Sequence, residues 1–294
     1  MTPSRPMLRI VHLFPDLLNV YGDRGNVRAL VARSEGRGIR TDVVEMAFAA
    51  RTVPPGDVYL IGGGQDREQV TVARELERLG NELRGHLADG AAILAVCGGY
   101  QNLGRLIRGP EGDLPGPGIL PVWTDVRPSG QRLVGPIVVF APAAVAALGR
   151  PGALAAGVPG AERTLVGFEN HAGRTFIDRC GAPLGRLEHG FGNNGRDARE
   201  GVIVTDGGVR LPSRVGTYLH GPILPRNPHL ADSLIACGIA RGHAIPELRP
   251  LDDRAEWQAH EQFAAALRRR ADAERRMPRW AHKVVDPLRS LVGF

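Results

Sequence analysis

Short apolar runs alternate with longer charged stretches over the first hundred residues. Leu8-Arg-Ile-Val-His-Leu-Phe14, Asp57-Val-Tyr-Leu-Ile61 and the wholly apolar Ala91-Ala-Ile-Leu-Ala-Val96 are too short for helices and predict buried strands. Arg40 to Met46 predicts another. Between them, Asn26 to Glu35 and Glu68 to Gly85 predict helices. The first takes Asn26 as its N-cap and is closed by Gly36 and Gly38. Tyr100 to Ile107 predicts a short third helix. Strands apolar on both faces, alternating with helices, predict an α/β fold with a mainly parallel sheet flanked by helices. From Val134 to Leu219 the pattern changes to brief β-like runs separated by glycine turns: Ile137–Phe140, Val166–Glu169, Thr175–Ile177, Val202–Thr205 and Val215–Leu219. A helix over about His229 to Gly238 closes this part.

The tail differs. Glu256 to Arg276 is rich in Ala, Arg and Glu and predicts a helix, which Pro278 interrupts. Beyond it Trp280, Val284, Val285, Leu288, Leu291 and Val292 fall at roughly helical spacing. The expected organisation is a domain over residues 8–245 and a basic, helical C-terminal extension over 246–294. From Arg254 onward there are nine Lys/Arg against five Asp/Glu, so this stretch carries most of the net charge of +6. A solvated charged helix is the plain expectation for it. Docking to a partner, or weak contact with an anionic membrane surface, are the sharper ones.

Composition narrows the class. With 294 residues, 43% of them hydrophobic, the chain can bury a sizeable core. Its three cysteines, Cys97, Cys180 and Cys237, have no short spacing. They suggest neither a disulfide framework nor a zinc site, and no other cluster has metal-ligand spacing. With no secretory pattern at the N-terminus and no run of membrane-spanning length, the expectation is a soluble cytoplasmic protein. The positive charge raises nucleic-acid binding, but aromatics are only 5% and no recognised motif is present.

Three segments carry candidate chemistry. Cys97 follows a buried strand and precedes Gly98-Gly99 and a helix, the sequence form of a nucleophile elbow. A helix start behind the sulfur favours thiolate. A buried structural cysteine fits the same local pattern. His220 ends Gly216-Thr-Tyr-Leu-His-Gly-Pro222 and is a candidate general base for Cys97. Gly62-Gly63-Gly64 follows a strand, where backbone N–H groups can turn toward an oxyanion. A tight turn explains the glycines equally well, while the phosphate-loop and dinucleotide patterns are absent. Phe168 to Arg174 is dense in polar groups that can line a site or simply bond within a loop.

Taken together, a set of motifs resembles the GatD family. They are His12-Leu-Phe-Pro-Asp16, Tyr21-Gly-Asp-Arg-Gly-Asn26, Ile61-Gly-Gly-Gly-Gln-Asp-Arg-Glu-Gln69, Val96-Cys-Gly-Gly-Tyr-Gln101, Gly167-Phe-Glu-Asn-His171, Gly190-Phe-Gly-Asn-Asn194 and Gly216-Thr-Tyr-Leu-His-Gly-Pro-Ile-Leu-Pro225. GatD proteins are glutaminase subunits related to the cobyric-acid-synthase type of class I glutamine amidotransferase. The resemblance covers about residues 8–245 and implies a flavodoxin-like glutaminase domain. It implies Cys97 as nucleophile, His220 as catalytic histidine, Gly63 and Gly64 as the oxyanion loop, and Arg132 as a binder of the glutamine substrate. It further implies pairing with MurT, a Mur-ligase-like subunit that holds ATP and magnesium, to amidate the D-glutamate of lipid II. No cofactor is then expected in this chain. Many class I glutaminases carry a catalytic Glu two residues after the histidine; here that position is Pro222. The resemblance therefore implies a Cys–His dyad, with Asp23 and Glu169 as candidate orienting acids. A synthetase acting on a corrin ring or a nucleotide, or a non-catalytic regulator, are the alternatives.

Overall fold

The computed structural model describes residues 7–20, 22–127, 131–142, 163–205, 212–241 and 247–276. The strands are β1 Met7–Leu13, β2 Arg40–Met46, β3 Val58–Ile61, β4 Ala92–Val96, β5 Leu106–Gly109, β6 Gly112–Pro115, β7 Val122–Asp125, β8 Leu133–Phe140, β9 Thr164–His171, β10 Arg174–Ile177, β11 Gly185–His189, β12 Arg199–Glu200, β13 Val202–Val204 and β14 Arg214–Thr217. The helices are α1 Arg24–Glu35, α2 Asp66–Ala88, α3 Gly98–Asn102, α4 Pro228–Ala240 and α5 Arg254–Arg276.

The main sheet has the order β13-β14-β4-β3-β1-β2. It is parallel from β2 to β14, and β13 is an antiparallel edge. The α/β class expected from the apolar runs is the observed one. β3 and β4, central in the sheet, are buried at every position, as strands covered on both faces must be. Helices α1 and α4 pack on each other and on this sheet. Two smaller four-stranded sheets follow, β10-β7-β5-β6 and β12-β11-β8-β9.

Two local expectations fail for tertiary reasons. Asn26 does not cap α1. The helix begins two residues earlier, and the Asn26 Oδ1 instead accepts the Leu224 N–H at 3.0 Å, tying α1 to the chain beyond His220. The helix expected over Tyr100 to Ile107 stops at Asn102, and Leu106–Gly109 pairs with both β6 and β7. Strand pairing overrides helix propensity there.

The C-terminal helix is not simply solvated. On α5, Trp257, His260, Ala264 and Leu267 are buried, spaced three and four apart along one face. Ala264 and Leu267 cluster with Val138 of β8 and Val166 of β9. His260 Nε2 lies 2.8 Å from Thr164 Oγ1, and its Nδ1 lies 2.9 Å from the Arg226 carbonyl. Just before the helix, Asp253 forms a buried pair with Arg33 of α1, with contacts of 2.6 and 2.8 Å. The expected boundary at residue 245 and the apolar stretch from Trp280 to Val292 lie outside the described residues. Among the described residues no helix is long and apolar enough to cross a membrane.

Candidate active site

Strand order builds the site. β14, β4 and β3 are adjacent and parallel, so their carboxyl ends lie side by side. The ends of such strands are where open α/β sheets place ligands. β4 delivers Cys97, β3 delivers Gly62–Gly64, and the chain leaving β14 delivers His220. Sequence separation is irrelevant to this meeting.

Cys97 has φ 51° and ψ −107°, a conformation costly for a non-glycine residue. It is over-determined by its neighbours. Its N–H donates to the Thr217 carbonyl at 2.9 Å, its carbonyl accepts the Gln101 N–H at 3.0 Å, and Gly99 N–H donates to the Gly62 carbonyl at 3.0 Å. This is the elbow expected from the glycines. The helix behind it is only five residues long, so any dipole effect on the sulfur is smaller than a long helix would supply.

Gly63 touches both candidate reactants. A Cβ built on Gly63 would lie 3.1 Å from Cys97 Cβ, 3.6 Å from its Sγ and 3.4 Å from His220 Cε1. A side chain here would crowd both residues, so the close approach favours glycine. Its N–H, expected to face an oxyanion, instead donates to Asp23 Oδ2 at 3.1 Å. The neighbouring peptides are also held: the Gly63 carbonyl accepts Val20 N–H at 3.2 Å, and the Gly64 carbonyl accepts Gln69 Nε2 at 2.8 Å. Gly64 N–H and Gly98 N–H make no hydrogen bond among the described residues.

The candidate acids have other engagements. Asp23 is buried and directed at the glycine loop. Burial raises its carboxyl to about 6, against the opposing hydrogen bond from Gly63. Glu169 accepts Phe191 N–H at 2.6 Å and Gly192 N–H at 2.9 Å, so it shapes the 190–192 turn. Pro222, at the position of the missing acid, packs against Gly25 of α1, where a Cβ would clash with the proline ring. His220 is pinned through its backbone, its N–H donating to the Phe168 carbonyl at 2.7 Å. Burial, followed by the neighbouring His171 and Arg132, lowers its imidazole to about 3, so it is neutral near pH 7.

Cys97 opens onto a pocket of about 620 Å³ whose walls include Gly64, Gln101, Arg132 and His171. Arg132 stands just before β8. Its Nε donates to Asn170 Oδ1 at 2.6 Å and its Nη2 to the Asn170 carbonyl at 3.3 Å, which fixes the guanidinium at the mouth. His171 stacks on Tyr218 with ring centroids 3.5 Å apart, and Gln101 Nε2 donates to the Tyr218 hydroxyl at 3.0 Å. The polar segment Phe168 to Arg174 thus contributes His171 to the wall. Tyr218 and Gln101, near the candidate catalytic residues in sequence, are identified as part of this polar network only by the structure. Among the described residues no group of three or more His, Cys, Asp or Glu is placed to hold a metal.

Shifted buried groups set a pH dependence of stability. Burial raises Asp23 to about 6, Glu169 to about 7 and Glu200 to about 8. It lowers His12 to about 4 and His171, His220 and His229 to about 3. Below roughly pH 6.5 the unfolded histidines bind protons that the folded ones refuse, so raising pH through this range stabilises the fold. The carboxyls act oppositely. Their contribution is full below about pH 4, the unfolded value, and is lost as pH rises through 6 to 8. Above about pH 6.5 only the carboxyl effect remains. Thermal melts should peak near pH 6 to 6.5 and decline toward pH 8, and Glu200→Gln should flatten that decline.

Residues 9–228 match the family model described as the CobB/CobQ-like glutamine amidotransferase domain, and the chain belongs to that family of glutamine amidotransferases. It is 37% identical over 254 residues to the lipid II isoglutaminyl synthase (glutamine-hydrolyzing) subunit GatD of Staphylococcus aureus strain N315, covering 86% of this chain and 93% of that one. The subunit of the same name from Streptococcus pneumoniae R6 is 31% identical over 239 residues, covering 80% and 81%. A cobyric acid synthase from Methylocella silvestris is 35% identical over 146 residues, covering 48% of this chain but 24% of that protein.

Proposed function

We propose that the chain is the glutamine-hydrolysing subunit of a lipid II isoglutaminyl synthase, and that Cys97 and His220 carry the hydrolysis. The observation that carries the chemistry is the convergence of Gly63, Cys97 and His220 on adjacent strand ends beside one pocket. The observation that supports the subunit assignment is coverage. The chain spans 93% of the staphylococcal GatD but only 24% of a cobyric acid synthase.

In this mechanism the neutral His220 imidazole takes the Cys97 thiol proton. The thiolate attacks the side-chain amide carbon of L-glutamine. The oxyanion is met by the N–H groups of Gly64 and Gly98, the donors left for it, and loss of one such donor typically costs on the order of 10²–10³ in rate. Collapse breaks the C–N bond as His220 returns its proton to the departing ammonia. A γ-glutamyl thioester remains on Cys97. His220 then takes a proton from water, hydroxide attacks the thioester, and glutamate leaves with the thiol restored.

Arg132 pairs with the α-carboxylate of glutamine. Its fork has the geometry for a bidentate contact and is already oriented by Asn170. Arg132→Ala should raise the KM for glutamine roughly 10–100-fold, with a smaller change in kcat. Steady-state kinetics over a range of glutamine concentrations checks this.

Ammonia passes to a MurT-like, Mur-ligase-type subunit in a heterodimer, where ATP and magnesium activate the D-glutamate carboxyl of lipid II for amidation. No step of the hydrolysis needs a cofactor in this chain. The complex acts in the cytoplasm at the inner membrane face, where lipid II is reached through the partner. The test is co-expression with the ligase subunit and assay of glutamine-dependent, ATP-dependent amidation of lipid II. Glutamine hydrolysis without amidation would leave the glutaminase intact and reject this acceptor.

A further inference from the structure

The segment carrying His220 has Pro222 where many class I glutaminases place an acid, yet the stretch leading to the histidine is fixed by a different carboxyl group. Glu200 of β12 is completely buried. Its Oε1 accepts the Thr217 hydroxyl at 2.7 Å and the Tyr218 N–H at 2.6 Å. Thr217 Oγ1 in turn accepts the Leu219 N–H at 3.0 Å. Three consecutive residues before His220 are thereby tied, directly or through one hydroxyl, to a single side chain. The same Thr217 presents its carbonyl to the Cys97 N–H at 2.9 Å. One carboxyl group thus anchors the segment that both supports the strained elbow and delivers the histidine. Tyr218, whose backbone N–H donates to Glu200, stacks on His171 in the pocket wall.

We infer that Glu200 is the positioning residue of this active site, acting through the Thr217–Leu219 segment to hold His220 against Cys97. It fills the place of the absent acid by fixing the backbone that carries the histidine. The inference rests on the proposed glutaminase reading. Burial raises the Glu200 carboxyl to about 8, so near neutrality it is mainly uncharged, and both contacts use it as an acceptor. An amide oxygen supplies the same acceptor. Glutamine should therefore substitute for it, whereas alanine should not.

The test compares wild type, Glu200→Ala, Glu200→Gln and Thr217→Val, each co-expressed with the ligase subunit. The readouts are kcat and KM for glutamine hydrolysis, normalised to sites titrated by a glutamine-mimicking electrophile. That normalisation removes any loss due only to misfolded protein. Glu200→Ala should lower kcat about 100-fold, the scale of a misplaced catalytic group, with KM within about threefold. Glu200→Gln should stay within about threefold of wild type. Thr217→Val, which removes one donor and keeps the shape, should lower kcat about tenfold. Wild-type kcat per titrated site in Glu200→Ala would overturn the inference, as would a loss confined to KM. Should Glu200→Ala fail to fold, an unchanged kcat in Thr217→Val, or a tenfold loss in Glu200→Gln, would overturn it instead. A wild type without glutaminase activity would reject the functional reading, a result separable from all of these.

Discussion

Cys97→Ala should abolish glutamine hydrolysis, by roughly 10⁴-fold or more, while the protein folds normally. No other group can replace the sulfur. Cys237 is buried on α4 and Cys180 lies exposed in a turn after β10, each carried by a different element from the elbow. Alanine meets the same backbone strain at φ 51° and loses little packing, so the fold should hold. His220 and Gly63 would remain in place, and the pocket would still bind glutamine. Ammonia release assayed with the ligase subunit present, beside circular dichroism of the variant, checks both halves. Substantial turnover by the alanine variant would remove Cys97 from the mechanism.

Truncation after Leu251 should have the second large effect, on stability first and on activity through it. The sequence predicts that hydrolysis survives this cut, because the tail reads as a solvated or partner-docking helix. The packing of α5 reverses that expectation. Removal would strip Asp253 from the buried Arg33; because Arg33 keeps its pair with Asp232, this costs only part of the about 3–5 kcal/mol of leaving a buried charge unpaired. It would also uncover Val138 and Val166 and leave Thr164 without His260. Against a total stability of roughly 5–15 kcal/mol, such losses are severe. β9 runs from Thr164, under α5, to His171 in the pocket wall, and its Phe168 pins His220. The truncated chain should melt at least about 10 °C lower, or fail to accumulate, with glutaminase activity reduced in proportion. A full-length-like melt and full hydrolysis would restore the solvated-helix view.

What the sequence revealed followed from local signals. β3 and β4 are short apolar runs because they are covered on both faces. The elbow is marked by glycines because Gly98 and Gly99 have no room for a side chain: a Cβ on Gly98 would meet Gln69 at 2.8 Å, and one on Gly99 would meet Ile61 at 2.8 Å. Such crowding leaves a trace in the residue type itself. Glu200 left none. It sits between an arginine and a glycine in an unremarkable run, and its importance arises only when β12 is brought beside the end of β14. Asn26 misled for the same reason, since its partner Leu224 lies 198 positions away. The glycine loop is legible as a candidate oxyanion site, but the direction of the Gly63 N–H depends on the approach of Asp23. The docked face of α5 was present as the spacing of Trp257, His260, Ala264 and Leu267, hidden by an Ala- and Arg-rich background.

In this mechanism glutamine passes through a thioester on Cys97. The most direct measurement is acid quench of the complex during turnover, followed by mass spectrometry of the peptide carrying Cys97, in wild type and His220→Ala. The expected result is a glutamyl adduct on that cysteine, a minor species in wild type and a larger fraction of the protein in His220→Ala, where the histidine can no longer activate water. Glutamine turnover with Cys97 unmodified throughout, and preserved after Cys97 is alkylated, would contradict it.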